Sequence, residues 1–167
     1  MRFLLFPMSM VSLLLTGAIF GFFFAWVCST MWGLDQLDPN IAIQAMQAMN
    51  ASVRNGVFAP AFFGTPVALL LTAGIGWKCG ARPAAVWFAL AAVIYLAGGL
   101  ILTMQVNVPM NEALGRLSAP LDPQKAAQVW SDYSPVWQFW NQLRTGMSGV
   151  ALLCVGIGLV TLPRAAR

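Results

Sequence analysis

Four aromatic or polar side chains share one face of the helix predicted near the end of this 167-residue chain. They are Trp137, Trp140, Asn141 and Arg144. At about 100° per helical residue they fall within one arc of roughly 100°. The same arc continues through small residues, beginning with Ser148, so we expect this face to point toward neighbouring helices. Two indoles, an amide and a guanidinium would suit a flat, apolar molecule that carries oxygen atoms, or a lipid headgroup.

Further polar side chains are predicted at the same level of the membrane. They are Asn50, Asn107, Asn111 and Glu112. Most of these eight residues could instead have a purely structural role. The tryptophans could form an interfacial belt and Arg144 could extend to the headgroups. Asn107 could cap a helix, whereas Asn50 and Glu112 could be solvated positions.

The composition excludes several kinds of chemistry. The chain has no histidine, which excludes haem ligation by imidazole, histidine-based zinc or copper sites and a Ser-His-Asp triad. Cys28, Cys79 and Cys154 are predicted at different depths and form no CxxC pair, which argues against a thiol oxidoreductase. The sequence has no glycine-rich phosphate loop. No acidic residue lies inside a predicted span, so transport through an intramembrane carboxylate is disfavoured.

These residues must be positioned by membrane-spanning helices, because 59% of the chain is apolar and only 8% is charged. Four uncharged stretches are each long enough to cross a hydrocarbon core of about 30 Å as a helix. They are residues 3–34, 55–77, 83–111 and 145–163. We predict one domain, 1–167, with an all-α fold: a four-helix transmembrane bundle. The spans are predicted at about 8–32, 58–77, 84–105 and 141–162, the first being a retained helix rather than a signal peptide.

The distribution of charge predicts the orientation of the protein. With the N-terminus in the cytoplasm, the cytoplasmic segments carry basic residues and no acid. These basic residues are Arg2, Lys78, Arg82, Arg164 and Arg167. All five acidic residues then lie on the exoplasmic side. We therefore expect a multi-pass protein with both termini in the cytoplasm, and the basic pI carries no implication of nucleic-acid binding.

The exoplasmic segments, 33–57 and 106–140, contain several predicted helix starts. Asp38–Pro39 is expected to begin a short helix that ends near residue 55, and Asp122–Pro123 another. Asn107–Pro109 is expected to begin a third, and Ser134–Pro135 the last long helix. We expect the short exoplasmic helices to form a lid over the bundle.

Three short motifs occur in the order and spacing of a known family. They are Gln47-Ala48-Met49-Asn50, Asn107-Val108-Pro109-Met110-Asn111, and the run from Trp137 through Trp140-Asn141 to Arg144. In these motifs the chain resembles the anthrone oxygenase-like family of small four-span membrane proteins, and the resemblance covers nearly the whole chain. It implies oxidation of an anthrone to an anthraquinone by dioxygen, without a metal or organic cofactor.

If the resemblance extends to activity, the residues take the following roles. Arg144, Asn141, Asn111 and Asn107 would hold substrate oxygen atoms, and Asn50 would be a further substrate-binding residue. Trp137 and Trp140 would stack on its rings, and Glu112 would be the general base.

An alternative of another class fits the same residues. The protein would then bind a lipid or a quinone without catalysis, or serve as a subunit of a membrane complex. Membrane lipids and an aromatic or quinone-like small molecule are the expected partners, and the sequence is compatible with a homo-oligomer.

Overall fold

The long apolar segments of the sequence form helices in the computed structural model, which describes residues 2–163. In chain order these are α1 (Arg2–Leu34), α2 (Pro39–Ser52), α3 (Phe58–Lys78), α4 (Arg82–Gly115) and α5 (Pro123–Val160). Residues 2–163 contain no β-strand. Helices α1, α3, α4 and α5 are each long and apolar enough to cross a membrane. The predicted all-α fold with four membrane-spanning helices is confirmed, although Arg164 and Arg167 lie outside the described residues.

The four spanning helices form a ring, in which α3 and α5 each contact both α1 and α4. Their buried apolar side chains form one core, which includes Phe23, Leu69, Phe88 and Val155. Helices in lipid associate through close packing, for which small residues are suited. At Gly98 an added Cβ atom would lie only 2.4 Å from the Cβ of Met147. Gly98 is therefore one of the positions that let α4 approach α5 closely.

A second core lies at one end of the ring, called here the α2 end because α2 packs across it against α5 and the last turns of α4. Its buried side chains include Met31, Ile43, Met46, Leu114 and Trp130. Apolar residues of α2 at helical spacing supply one side of this core, and the ends of the spanning helices supply the other. Helix α2 therefore covers the end of the bundle as the predicted lid.

Side-chain amides fix α2 to the chain that joins α4 to α5. The Nδ2 of Asn40 donates to the carbonyl oxygen of Leu121 at 2.9 Å, and its Oδ1 accepts from the amide of the same residue at 2.7 Å. The Nε2 of Gln47 donates to the carbonyl oxygens of Leu114 and Leu117. The bonds to Leu121 and Leu117 satisfy backbone groups in a segment without regular structure, where they would otherwise need water, whereas Leu114 belongs to the last turn of α4.

Two of the predicted helix starts are confirmed. The Asp38 carboxylate accepts from the amide of Asn40 at 2.9 Å, and the Asp122 carboxylate accepts from the amide of Gln124 at 3.0 Å. Each aspartate precedes a proline at the first helical position, where a missing amide hydrogen costs nothing. Local chemistry is thus sufficient to start α2 and α5.

The other two predicted starts, at Ser134–Pro135 and Asn107–Pro109, are wrong, because α5 and α4 continue through them. Pro135 leaves the carbonyl of Ser131 without its helical donor, but Ser131 is exposed and water can hydrate it. The Ser134 hydroxyl donates instead to the Asp35 carboxylate at 2.6 Å. Before Pro109, a π-helical turn replaces the regular bonding pattern that a proline would interrupt.

An internal proline in α3 is compensated by a side chain of α4. Pro66 has no amide hydrogen to donate to the carbonyl four residues earlier, which is that of Phe62. The hydroxyl of Tyr95 donates to this carbonyl at 2.9 Å, and all three residues are buried. A carbonyl without a donor is costly inside a membrane. Tyr95 therefore removes the main cost of Pro66 and joins α3 to α4.

We expect Tyr95→Phe to lower the free energy of unfolding by about 1 kcal/mol, because the Phe62 carbonyl loses its donor. The measurement is unfolding of the purified protein in mixed detergent micelles. In a Pro66→Ala background the restored amide can bond to Phe62, so the same substitution should cost less. Equal costs in the two backgrounds would contradict the compensation.

Candidate functional site

A cavity of about 1150 Å³ lies at the α2 end of the bundle, between α1, the first turns of α3, the second half of α4, and α5. Its volume slightly exceeds the roughly 300–1,000 Å³ that is usual for small-molecule sites. Most of its wall is apolar, and seven of its lining residues are aromatic. The aromatic lining residues are Phe22, Phe23, Trp26, Phe58, Phe62, Phe63 and Trp137. The cavity is therefore suited to a large, flat, apolar ligand.

Arg144 reaches the cavity from α5, and both polar atoms and aromatic rings hold its guanidinium. Its Nη2 donates to the Oδ1 of Asn141 at 2.7 Å, and its Nη1 donates to the Oγ1 of Thr103 at 3.2 Å. Its Cζ lies 4.5 Å from the ring centre of Phe23 and 5.3 Å from that of Trp137. Cation–π contacts and fixed hydrogen bonds thus orient the planar group.

The charge of Arg144 is buried without a counter-ion. Only 5% of the residue is exposed, and the one salt bridge found in residues 2–163 joins two other side chains. A buried cation without an anionic partner is unfavourable. Its Nε atom is also buried and has no hydrogen-bond partner in the described part of the chain. The guanidinium could therefore bind an anion, or stabilise an oxygen atom that becomes negative during a reaction.

Asn141 connects this guanidinium to α1. While its Oδ1 accepts from Arg144, its Nδ2 donates to the carbonyl oxygen of Phe23 at 3.2 Å. Both ends of the amide are therefore occupied, and its orientation is fixed by two helices. Asn141 therefore positions the guanidinium, and it does not itself line the cavity.

π-helical turns occur in both helices whose side chains meet Arg144. They are Trp26–Thr30 in α1, and Leu96–Ile101 and Thr103–Asn107 in α4. A π turn contains one more residue than an α-helical turn and rotates the side chains that follow it. In α4 it brings Thr103 to Arg144, and Asn111 to Trp137. The π turns therefore position the polar row of α4 against α5.

Asn111 joins α4 to α5 by hydrogen bonds at the wall of the cavity. Its Oδ1 accepts from the Tyr133 hydroxyl and from the Trp137 indole nitrogen, each at 2.8 Å. Because both donors use the carbonyl oxygen, the amide nitrogen remains available to donate to a ligand. Asn111 lines the cavity, so a ligand oxygen could reach this nitrogen.

Two further asparagines of the prediction are buried with unpaired atoms. Asn107 is fully buried, does not cap a helix, and has no hydrogen-bond partner at Nδ2 or Oδ1. It lies between Thr103 and Asn111 in the polar row of α4, although it does not line the cavity. The Nδ2 of Asn50 is buried without a partner, and Asn50 does line the cavity. Each unpaired buried atom costs about 1–3 kcal/mol, which a ligand or water oxygen would recover.

The remaining predicted residues lie at the mouth of the cavity or outside it. Glu112 lines the mouth, where its carboxylate pairs with the guanidinium of Arg54 at 3.3 Å. Trp140 does not line the cavity, and its ring packs edge-on against Phe139 with ring centres 5.3 Å apart. Within residues 2–163, no three His, Cys, Asp or Glu side chains are grouped closely enough to hold a metal ion.

The sequence did not identify Phe23, Trp26 and Thr103 as site residues. Thr103 has a signal in retrospect, since Thr103, Asn107 and Asn111 are spaced by four residues and form one polar row. Phe23 and Trp26 have none, because they lie in a helix rich in phenylalanine and tryptophan. Only the packing of α1 against α5 distinguishes them.

We expect Asn141→Leu to lower the free energy of unfolding by about 2–3 kcal/mol, because the buried guanidinium loses its best acceptor. Adding Arg144→Met should recover part of that loss, since it removes the uncompensated charge. Unfolding of both variants in detergent measures the effect. A double variant less stable than Asn141→Leu alone would show that Arg144 stabilises the fold by other contacts.

Comparison with known proteins places these residues in a family. The family model described as anthrone oxygenase matches residues 55–154, which include α3, α4 and most of α5. The match includes Asn111, Glu112 and Arg144, whereas α1 and α2 precede it. No curated protein and no solved structure matches the chain. Because the matched segment exceeds half of a chain of 167 residues, this integral membrane protein belongs to the anthrone oxygenase family.

Proposed function

We propose that the protein oxidises a flat aromatic ketone of the anthrone type with dioxygen, in the cavity at the α2 end. The observation that carries this proposal is the guanidinium of Arg144. It is buried, it has no carboxylate partner among the described residues, and it faces a cavity with aromatic walls. Family membership supports the same reaction class. The proposed reaction requires only the substrate and dioxygen.

The chemistry starts from the acidity of the substrate. Anthrone carries a ketone on one carbon of its central ring and a CH₂ group on the opposite carbon. Loss of a proton from the CH₂ group gives an enolate-type anion, whose charge lies mostly on the ketone oxygen. A cation beside that oxygen stabilises the anion and so lowers the barrier to proton loss.

The anion is then oxidised by dioxygen. The deprotonated carbon forms a bond to one oxygen atom, and protonation of the other gives a hydroperoxide. Loss of the second proton from this carbon, with departure of hydroxide, gives the second ketone and one molecule of water. Carbon loses four electrons, and these reduce one molecule of dioxygen. Atoms and electrons balance without a further reductant.

The proposed roles follow from the surroundings of each side chain. Arg144 would bind the ketone oxygen, and Asn111 would donate its free amide hydrogens to a second oxygen. Trp137 and Phe23 would stack on the rings. Glu112 would accept the proton at the cavity mouth, from which water can remove it. Asn107 is buried outside the cavity and takes no part in this scheme.

The substrate would enter from the membrane, because the cavity wall continues to the outer surface of the bundle. Phe63 lines the cavity and is also about half exposed. Apolar aromatic ketones partition into lipid, which would supply the cavity from the side. Membrane lipids are thus proposed as the immediate surroundings from which the ligand is taken.

We expect Arg144→Ala to lower kcat/KM for conversion of anthrone to anthraquinone by about 100-fold or more, because the developing oxyanion loses its cation. The reaction is followed by anthraquinone absorbance and oxygen consumption with purified protein in detergent. Glu112→Gln should lower the rate as well if Glu112 is the base. Trp140→Phe is the matched control for Trp137→Phe, since only Trp137 lines the cavity. The control variant, Trp140→Phe, should leave the rate unchanged.

The same assay contains the result that would overturn the proposal. If the wild-type protein binds anthrone or anthraquinone but does not accelerate oxygen uptake, it is a binding protein for aromatic ketones or quinones. If anthrone is oxidised equally fast by wild type and Arg144→Ala, the guanidinium has no role in the reaction.

We also propose that the α2 end faces the exoplasmic side and that both termini are cytoplasmic. All five acidic residues lie at the α2 end, whereas Lys78 and Arg82 lie at the opposite turn. In a Cys28→Ser, Cys154→Ser protein, an impermeant maleimide should label native Cys79 only after the cells are permeabilised. In the same protein with Cys79→Ser and Arg116→Cys added, the new cysteine should be labelled in intact cells. The reverse pattern would invert the topology.

A further inference from the structure

A second, polar cavity of about 780 Å³ adjoins the aromatic one and is called here the vestibule. It lies between α2, the end of α4 and the chain that follows it. Four residues line both cavities and form their common wall. They are Asn50, Arg54, Asn111 and Glu112. A single ligand could therefore occupy both cavities if it were apolar at one end and polar at the other.

The vestibule has the composition of an anion site. Arg54 and Arg116 contribute two positive charges to its lining, against one negative charge from Glu112. Its lining contains no aromatic residue, in contrast to the wall of the neighbouring cavity. The buried Nδ2 of Asn50, which has no hydrogen-bond partner, adds a donor in the common wall. Donors and positive charge thus exceed acceptors and negative charge.

The ion pair in the common wall can be exchanged at little cost. Arg54 and Glu112 share one contact, at 3.3 Å, and their side chains are 59% and 46% exposed. Exposed pairs of this kind contribute about 0–1 kcal/mol. A ligand carboxylate could displace Glu112 and bind the guanidinium through both oxygen atoms, which is the stronger geometry.

We infer that the vestibule binds an anionic substituent, such as a carboxylate, of a ligand whose aromatic part occupies the adjoining cavity, with Arg54 as its charge partner. The inference rests on one part of the proposed function, namely that an aromatic ketone or quinone binds in the cavity. It narrows the substrate class to amphipathic aromatic acids. Arg144 and Arg54 then serve opposite ends of one molecule.

Two probes with the same ring system test this: anthraquinone-2-carboxylate and anthraquinone-2-carboxamide. Binding is measured by quenching of tryptophan fluorescence, with the full-length protein in phosphatidylcholine nanodiscs. The carboxylate should bind about fivefold more tightly than the carboxamide. Arg54→Gln should abolish this preference while the carboxamide still binds, which also shows that the variant is folded.

Glu112→Gln should change the preference in the opposite direction, because it removes the anion that competes for Arg54. Arg54→Lys should retain part of the preference. Equal binding of the two probes to wild type, or a preference that survives Arg54→Gln, would overturn the inference alone. If neither probe binds, both the inference and the proposed function fail.

A lipid phosphate is the other source of an anion at this site. Nanodiscs that contain phosphatidylglycerol distinguish the two sources. If the carboxylate preference is unchanged, the vestibule is reserved for the ligand. If the preference falls in wild type while carboxamide affinity stays constant, the anion site is supported and the headgroup competes for it.

Discussion

A guanidinium inside an apolar bundle, with no carboxylate paired to it in residues 2–163, is the constraint on which the rest of the structure depends. Asn141 and Thr103 accept hydrogen bonds from Arg144 and orient it, and the rings of Phe23 and Trp137 cover its faces. None of these neighbours neutralises its charge. The site therefore combines an uncompensated positive charge with aromatic walls, and these two features carry the proposed function.

The parts of the site that a regular helix positions could be predicted from the sequence. Trp137, Asn141 and Arg144 were placed on one inward face by the 3.6-residue period, and α5 is α-helical throughout that region. The same arithmetic placed Trp140 at the edge of the arc, where a small rotation moves it out of the cavity wall. In α4 the 3.6-residue period does not predict which way Asn107 and Asn111 face, because π turns shift the helical register before them.

The fold shows the same division between local and distant causes. Asp38 and Asp122 begin helices through bonds to amides two residues away, so their roles can be read from short motifs. Pro66 was visible as a helix breaker, but its compensation by Tyr95 comes from another helix. Ser134 looked like a helix start because it precedes Pro135. Its hydroxyl instead donates to Asp35, a residue 99 positions away in the sequence. Interactions at such separations follow from packing and leave no local pattern.

The π turns have a consequence for how such a site could arise. A π turn is the trace of one residue inserted into an α-helix, and it rotates everything beyond it by about 100°. Deleting one residue from Leu96–Ile101 would restore a regular helix and turn Thr103 and Asn111 toward lipid, without altering any side chain of the site. A change in chain length alone could thus convert an inert four-helix protein into one with a polar interior.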